Sequence, residues 1–335
     1  MLTNFFKDEK IEYQFKTNGY VKAYNIGIHN VNKILALNKE LNIPDDMGRN
    51  FNVGLNCKDE DKRLSMREGL VNILEDFFKE FTNNRFIQSA TLMDKIPHKY
   101  SIVPAHQDWT YTDESEYDSV MCWIALQDVK KDDGALGFVP KSDKIFDYIR
   151  YFPFPNNNTP VDKFNLLLMS YFEIAEMKAG EIIFFSNKTV HGSFPNISNN
   201  TRKAVALNFG IQGLPLYAYI KKPDKSNKVI KYIVEKDFFH RYNNTYIAYH
   251  VQNQIPFDFK NDIISEIEID FPNYKWDEIQ NQLSLLGVRQ NLEYLQYLQE
   301  NYPNLDSLNE TTHIRSPKRN ILKKIKSLFY NEKHI

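Results

Sequence analysis

A histidine and an aspartate stand at a spacing suited to binding one metal ion, in the triplet His106-Gln107-Asp108. In a strand or at its end, residues i and i+2 point to the same side, so an imidazole and a carboxylate at this spacing can converge. The triplet alone is a weak signal, because a chain with 8 histidines often contains one by chance. Without further support, the alternative is that His106 and Asp108 are surface residues near a turn.

A second histidine strengthens the signal. A β-like run at residues 181–185 leads to His191, and Arg202 begins a further β-like run. Two imidazoles and one carboxylate on one face of an octahedral ion leave three positions open, as in Fe(II) oxygenases and unlike closed zinc sites. Those positions suit a bidentate 2-oxo acid and dioxygen. His106, Asp108 and His191 are therefore the predicted metal ligands.

Arg202 is the candidate partner for the far carboxylate of such a 2-oxo diacid. A dianion needs a cation at that end, and the planar guanidinium of arginine matches a carboxylate better than an ammonium does. The alternative is that Arg202 is a solvated residue at the end of the polar turn formed by residues 199–201. The residues by themselves leave both interpretations open.

The sequence resembles the phytanoyl-CoA dioxygenase (PhyH-like) family of 2-oxoglutarate-dependent oxygenases over about residues 88–211. Order, spacing and residue types agree together, which makes the resemblance specific, whereas the flanking third on each side carries no such match. The matching segments are His106-Gln107-Asp108-Trp109, Trp123-Ile124-Ala125-Leu126-Gln127-Asp128, Gly134-Ala135-Leu136 through Pro140-Lys141-Ser142, and Ala179-Gly180-Glu181 through His191-Gly192-Ser193, Asn196 and Arg202.

The resemblance implies an α+β fold with a double-stranded β-helix (jelly-roll, cupin-like) core and flanking helices. It also implies an Fe(II)- and 2-oxoglutarate-dependent dioxygenase that consumes O₂, releases succinate and CO₂, and most often hydroxylates its substrate. The residues it assigns are His106, Asp108 and His191 as iron ligands, Arg202 as the clamp for the distal carboxylate of 2-oxoglutarate, Ser193 as its hydroxyl partner, and Trp123 as a side chain lining the cosubstrate site.

One segment departs from the family pattern. Where many relatives read Pro-Gly-Ser-His, residues 140–143 of this chain read Pro-Lys-Ser-Asp. The segment is a turn in the family, so we expect the change to affect the shape of this loop and to leave the metal site unaffected. Two of the implied roles also have structural alternatives, because Trp123 has apolar neighbours typical of a core and Ser193 could cap a turn.

Several other side chains stand close to the motifs. Trp109 and Tyr111 follow the metal triplet and could contact substrate, although aromatic residues beside a metal strand more often serve packing. Gln88, Thr91 and Lys95 lie on the preceding β-like run and could reach 2-oxoglutarate or face elsewhere. The remaining histidines have no partner at a ligand spacing, and we expect them to be ordinary polar residues.

Hydrophobic periodicity predicts the elements that position these residues. A helical period covers residues 61–81, with a shorter helix at 31–41. Short β-rich runs separated by turn residues follow, as in a barrel or sandwich. Beyond residue 223 the pattern again predicts helices, one at 228–240 and one or two between 276 and 302. The predicted strands are residues 86–96, 120–126, 135–139, 181–185 and 204–211.

These elements predict a single catalytic domain at residues 1–310, with a β core at about 86–220 and helical flanks at 1–85 and 221–310, followed by a basic amphipathic tail at 311–335. Apolar residues of the tail recur at a helical spacing opposite lysines and arginines. The tail could be a helix docked on the acidic body or a frayed end, or it could bind a membrane surface or a protein.

Composition limits the remaining possibilities. With 42% hydrophobic residues the chain can form a sizeable core, and its net charge of −1 offers no electrostatic case for binding nucleic acid. Two cysteines cannot form a disulfide framework, and the first ten residues lack the apolar stretch of a secretory signal. The sequence contains no run of about 18 apolar residues, which is the length that would predict a membrane span. We therefore expect a cytoplasmic protein, and the resemblance implies that it acts on a small molecule or a lipid- or glycan-type metabolite.

Two rival functions remain at this stage. A non-catalytic barrel used as a binding module would be expected to have lost a ligand or the arginine, and this chain keeps all four residues. A zinc hydrolase would need a general base at a zincin-like spacing from the histidines, which the sequence does not contain.

Overall fold

Two packed antiparallel sheets form the centre of the molecule, as described by a computed structural model that covers residues 4–44, 50–152, 159–224, 226–257, 259 and 263–302. The larger sheet contains β1 (Tyr20–Asn25), β2 (Phe51–Val53), β3 (Arg85–Lys95), β5 (Val120–Ala125), β8 (Glu181–Ser186) and β10 (Arg202–Ile211). The smaller sheet contains β4 (Val103–His106), β6 (Leu136–Phe138), β7 (Glu173–Ile174) and β9 (His191–Ser193).

The strand order is that of a double-stranded β-helix. The larger sheet runs β1-β8-β5-β10-β3-β2 and the smaller one β4-β9-β6-β7. From β3 to β10 the chain passes repeatedly from one sheet to the other, and all neighbouring strands are antiparallel. This winding is the jelly-roll arrangement, so the predicted α+β class with a β-helix core is confirmed.

Strand β8 shows why its sequence lacks the alternation of a half-exposed strand. Neighbouring residues of a strand point to opposite faces. Phe184 packs under the helices on the outer face of the large sheet, whereas Ile183 and Phe185 pack between the two sheets against Phe138. Because both faces are buried, every position can be apolar, and each buried side chain of this size contributes about 1.5–3 kcal/mol.

Three helices cover the outer face of the large sheet: α1 (Glu9–Asn18), α2 (Gly27–Leu41) and α3 (Glu60–Lys79). The side chain of Asp59 caps α3 by accepting a hydrogen bond from the Lys62 amide. The buried residues Leu70, Leu74 and Phe78 follow at a spacing of four, so one stripe of the helix faces the sheet. The helices predicted at residues 31–41 and 61–81 are thereby confirmed as α2 and α3.

The helix predicted at residues 228–240 is wrong. Residues 228–234 form β12 (Lys228–Val234), and only the last residues of the predicted range are helical, in α5 (Phe238–Arg241). Strand β12 pairs with β11 (Leu216–Lys221) and β13 (Ile263–Glu268) in a third sheet. The β-branched residues of β12 find cross-strand partners there, such as Ile220 opposite Ile230, and this pairing overrides the helical periodicity.

The C-terminal flank therefore contains strands as well as helices, and β structure continues past the predicted limit at residue 220. The helices of this flank are α6 (Asn244–Asn253), α7 (Trp276–Leu285) and α8 (Leu292–Asn301), and the last two confirm the helices expected between 276 and 302. The predicted basic tail at residues 311–335 lies outside the described residues. Within the described ranges, no helix combines the length and the apolar character that crossing a membrane requires.

His240 of α5 is a buried histidine that joins α5 to the large sheet. Its Nε2 lies 3.0 Å from the carbonyl oxygen of Ala90, and because a carbonyl only accepts, Nε2 carries the proton. Its Nδ1 is buried without a hydrogen-bond partner among the described residues. Burial, opposed by this hydrogen bond and reinforced by the charges of Arg67 and Arg63, lowers the pKa of His240 to about 4.

The buried, neutral state of His240 should make stability depend on pH. In the unfolded chain the imidazole has its ordinary pKa of about 6.5, so between about pH 6.5 and 4 the unfolded state binds more protons than the folded state. The stabilisation from this residue is therefore present above pH 6.5 and is lost as the pH falls. The variant His240→Gln retains an N–H donor but does not titrate in this range. Between pH 7 and pH 5, we expect its free energy of unfolding to fall by about 1–2 kcal/mol less than that of the wild type.

Urea unfolding of the metal-free protein at both pH values measures this difference. Equal losses in the variant and the wild type would mean that His240 does not change protonation on unfolding.

Candidate metal and cosubstrate site

The three predicted ligands come together at one edge of the small sheet. His106 is the last residue of β4 and pairs directly with His191, the first residue of β9. Asp108 follows two residues later, and its Oδ2 lies 3.6 Å from Nε2 of His191. Candidate donor atoms of the three side chains lie within 4.8 Å of one another. Among the described residues, this is the one group of three or more such side chains close enough to hold a metal ion.

Hydrogen bonds fix the ring orientation of both histidines. Nδ1 of His106 lies 2.9 Å from the carbonyl oxygen of Pro104, and Nδ1 of His191 lies 3.0 Å from that of Thr189. Since a carbonyl oxygen can only accept, each Nδ1 carries a proton, and the lone pair of a neutral ring is then on Nε2. This is the tautomer that a metal-binding imidazole requires.

The surroundings of His191 keep its ring neutral. The ring is packed against Phe185 and Phe138, with centroid distances of 4.6 and 6.0 Å. Burial lowers the pKa of His191 to about 4, although the nearby carboxylate of Asp108 acts in the opposite direction. The imidazole is therefore neutral near pH 7, and no proton must leave before it can bind a metal.

Asp108 supplies the carboxylate, and one of its oxygens has no partner in the described structure. Its Oδ2 is buried without a hydrogen-bond donor. A buried carboxylate oxygen without a donor is unfavourable unless a cation lies nearby. Two imidazole lone pairs and this oxygen point to the same place, so the donor set fits a metal ion with nitrogen and oxygen ligands.

Two buried basic residues lie on neighbouring strands of the large sheet, and one of them is hydrogen-bonded to Ser193 of β9. Arg202 on β10 pairs with Lys95 on β3, and the two residues are 1% and 0% exposed. The ammonium of Lys95 donates to Ser193 Oγ at 2.5 Å and to the Phe194 carbonyl at 2.6 Å. Burial, together with the charge of Arg202, holds the pKa of Lys95 well below its usual range. Lys95 thus lies beside the predicted site, one of the two orientations considered for it.

The guanidinium of Arg202 is enclosed by aromatic rings. Its central carbon lies 5.1 Å from the ring centroid of Trp123 and 5.6 Å from that of Phe51. It donates to the carbonyl of Gly134, but its Nε has no partner in the described structure. Burial lowers the pKa of Arg202 to about 10, so it remains charged. In the described part of the chain, Arg202 has no carboxylate within 4.0 Å, since the nearby Asp94 is paired with Lys203, so a bound anion would balance the charge of Arg202.

The other candidates separate into packing and polar residues. Trp123 contacts Arg202 and also belongs to the core between the sheets, so both interpretations of it are compatible with the fold. Trp109 stacks on Phe152 at 4.1 Å, and Tyr111 packs against the ring of Phe239. The Thr91 hydroxyl accepts a hydrogen bond from the Leu55 amide, whereas neither polar side-chain atom of Gln88, both buried, has a hydrogen-bond partner in the described ranges.

The turn at residues 140–143, whose sequence differs from the family pattern, contacts the residue before His191. Lys141 adopts a left-handed conformation with φ of 60°, which glycine adopts at less cost. The hydroxyl of Ser142 accepts a hydrogen bond from the Val190 amide at 2.8 Å and donates to the Val139 carbonyl. The turn therefore contacts the residue before His191, and no sequence pattern indicates this contact.

Comparisons with known proteins agree with this arrangement. Residues 38–204 match the model of the family described as Phytanoyl-CoA dioxygenase (PhyH). A probable phytanoyl-CoA dioxygenase of Caenorhabditis elegans is 24% identical over 162 residues, which are 46% of this chain and 51% of that protein. The peroxisomal phytanoyl-CoA dioxygenase of Homo sapiens is 27% identical over 160 residues, 45% of this chain and 46% of that protein.

The chain spans about half the length of these curated relatives. Among solved structures, HygX from Streptomyces hygroscopicus with nickel, 2-oxoglutarate and hygromycin B bound has a TM-score of 0.42 and 13% identity, covering 62% of this chain and 88% of that one. The segment that matches the family model, residues 38–204, contains the paired strands β4 and β9. It also contains the four predicted site residues His106, Asp108, His191 and Arg202. This chain belongs to the phytanoyl-CoA dioxygenase family.

Proposed function

We propose that this chain is an Fe(II)- and 2-oxoglutarate-dependent dioxygenase. It would hydroxylate a small molecule and release succinate and CO₂. The observation that supports this most directly is the convergence of His106, Asp108 and His191, with an Asp108 oxygen buried without a partner. Two neutral nitrogen donors and one carboxylate suit a site that must keep coordination positions open for other molecules.

The proposed metal ligands are Nε2 of His106, Nε2 of His191 and the Asp108 carboxylate. When bound, iron and 2-oxoglutarate would supply the oxidising chemistry with O₂. The protein's own part is to orient two imidazole rings, to place one carboxylate beside them, and to keep the surroundings dry. The Phe138 and Phe185 rings against His191 serve the last of these purposes.

The proposed cosubstrate site is the group of buried cations and the hydroxyl beside them. Arg202 would bind the far carboxylate of 2-oxoglutarate, with Ser193 as a hydroxyl partner and Lys95 as a second source of positive charge. Phe51 and Trp123 shield the guanidinium from water, and electrostatic attraction to a carboxylate is stronger where water is excluded. A dianion would balance the positive charge of this site.

The remaining parts of the proposal concern substrate and location. We propose a small-molecule substrate, including lipid- or glycan-type metabolites. We further propose a cytoplasmic location, because two cysteines cannot form a disulfide framework and a reducing compartment suits such a chain.

The metal and cosubstrate assignments have one direct test. Mixed without oxygen, the protein, Fe(II) and 2-oxoglutarate should give a weak visible charge-transfer band, and air should then yield succinate. Asp108→Ala should lose the band at moderate Fe(II) concentration, because two imidazoles alone hold the ion weakly. A wild type without the band, whose succinate production in air equals that with chelated iron, would refute the catalytic proposal.

Arg202→Met should separate binding from stability. We expect the apparent affinity for 2-oxoglutarate to fall by about 2–5 kcal/mol, with Fe(II) affinity nearly unchanged, because the carboxylate loses its charged partner. In the protein without metal and cosubstrate, the same change removes a buried uncompensated charge and should raise the melting temperature.

Calorimetric titration and thermal melts of the two proteins measure these effects. Lys203→Met is the matched control, because Lys203 is the next residue of β10 but its ammonium is paired with Asp94 at 3.0 Å. That variant should bind 2-oxoglutarate like the wild type. An Arg202→Met variant with unchanged 2-oxoglutarate affinity would assign the clamp to another residue.

A further inference from the structure

A buried ion pair between Arg150 and Glu114 contacts the backbone of the proposed ligand Asp108. The side chains of Arg150 and Glu114 are 2% and 9% exposed. Their contact is bidentate, with Nη1 of the arginine donating to Oε2 at 2.7 Å and Nη2 donating to Oε1 at 2.5 Å. The hydroxyl of Ser119 also donates to Oε1 of Glu114. No motif in the sequence marks either member of the pair.

Arg150 also binds the backbone of a proposed ligand. Its Nε donates to the carbonyl oxygen of Asp108 at 2.8 Å, and Nη1 donates to the carbonyl of Tyr148 at 2.7 Å. The amide of Thr110 donates to the Arg150 carbonyl, and the Arg150 amide donates to the Thr110 hydroxyl. The segment that carries Asp108 is thereby tied to the segment that carries Arg150.

The other side of the Asp108 backbone is held by Asn187. The Asp108 amide donates to the Asn187 carbonyl at 3.0 Å, and the Asn187 side chain donates to the carbonyl of Trp109 at 2.9 Å. Asp108 lies two residues beyond the end of β4 and belongs to no strand. His106, by contrast, is held by strand pairing with His191. The position of Asp108 therefore depends on these contacts from other segments.

We propose that Arg150, held in place by Glu114, is a positioning residue that fixes the backbone of Asp108 so that its carboxylate is placed for metal binding. This inference rests on the proposed function. A buried ion pair is weak evidence for a contribution to stability, because desolvation offsets much of the attraction. A planar guanidinium can bind a carboxylate with two nitrogens and a carbonyl with the third, whereas an ammonium cannot reproduce that geometry.

The test compares Arg150→Lys, Glu114→Gln and the matched control Arg63→Lys. Arg63 is also buried, at 3% exposure, and donates to the carbonyls of Cys57, Lys58, His240 and Arg241, none of which belongs to the proposed metal site. Conservative replacement of either arginine should therefore lower the melting temperature. Only the changes at Arg150 and Glu114 should alter metal binding.

Co(II) alone is the probe, followed by calorimetry and by its visible absorption bands, which report ligand geometry. For Arg150→Lys we expect affinity to fall about 10- to 100-fold, with shifted bands. Glu114→Gln should lower the Co(II) affinity and shift the bands in the same direction, but by less. Arg63→Lys should leave the Co(II) affinity and the bands unchanged. With saturating metal, the 2-oxoglutarate affinity of Arg150→Lys should stay within about twofold of the wild type, because Arg202 is untouched.

Wild-type Co(II) affinity and bands in both Arg150→Lys and Glu114→Gln would overturn the inference and leave the proposed function standing. An equal loss of affinity in Arg63→Lys would also overturn it, because the effect would then follow from general destabilisation. If Arg150→Lys fails to fold, Glu114→Gln decides. A wild-type protein that binds no Co(II) would instead refute the proposed metal site and, with it, the role of Arg150.

Discussion

The pairing of β4 with β9 is the contact on which the rest of the site depends. It places His106 directly opposite His191, with an irregularity in register between this pair and the pairing of Val103 with Ser193. A slip of one residue would turn the side chains of β9 to the other face of the sheet. Because β9 lies between β4 and β6, its register is fixed from both sides, and His191 is also paired with Phe138.

Gly192 makes this close pairing sterically feasible. A Cβ at this position would lie 2.5 Å from the carbonyl oxygen of Val103 and 3.1 Å from that of Pro104. Both atoms belong to the backbone of the neighbouring strand, so a side chain could be accommodated only by moving β4 away and separating the two histidines. The glycine between His191 and Ser193 is thus a requirement of strand packing, and it serves the metal and cosubstrate residues together.

Much of this arrangement could be predicted from sequence, because it rests on local patterns. The helical stripes of α2 and α3 and the apolar runs of β5, β8 and β10 are read from spacing alone. The cluster of ligands could be proposed because the triplet with His106, the later His191 and Arg202 occur in a characteristic order. The sequence pattern predicts a helix where β12 lies, because the apolar residues there fit the period of a helix as well as that of a strand. Only the pairing with β11 and β13 decides between the two.

Other features of the site had no local signal. Arg150 and Glu114 are 36 residues apart, and each is a single charged residue in a segment without periodicity. The same is true of Asn187, whose backbone carbonyl accepts from the Asp108 amide and whose side chain donates to the Trp109 carbonyl. Contacts of this kind arise when loops from different parts of the fold meet, and the sequence of one loop contains no information about its partner.

The three proposed ligands consequently differ in what holds them. The two histidines are placed by the pairing of β4 with β9, which requires a glycine at position 192, whereas Asp108 is placed by polar contacts from two other segments. Its backbone is restrained at both the amide and the carbonyl, but its buried Oδ2 has no hydrogen-bond donor among the described residues. Restraining the backbone while leaving the carboxylate unsatisfied preserves its capacity to bind a cation, since a donor to that oxygen would compete with the ion. The metal site is therefore built by the fold for its nitrogen ligands and by a buried polar network for its oxygen ligand.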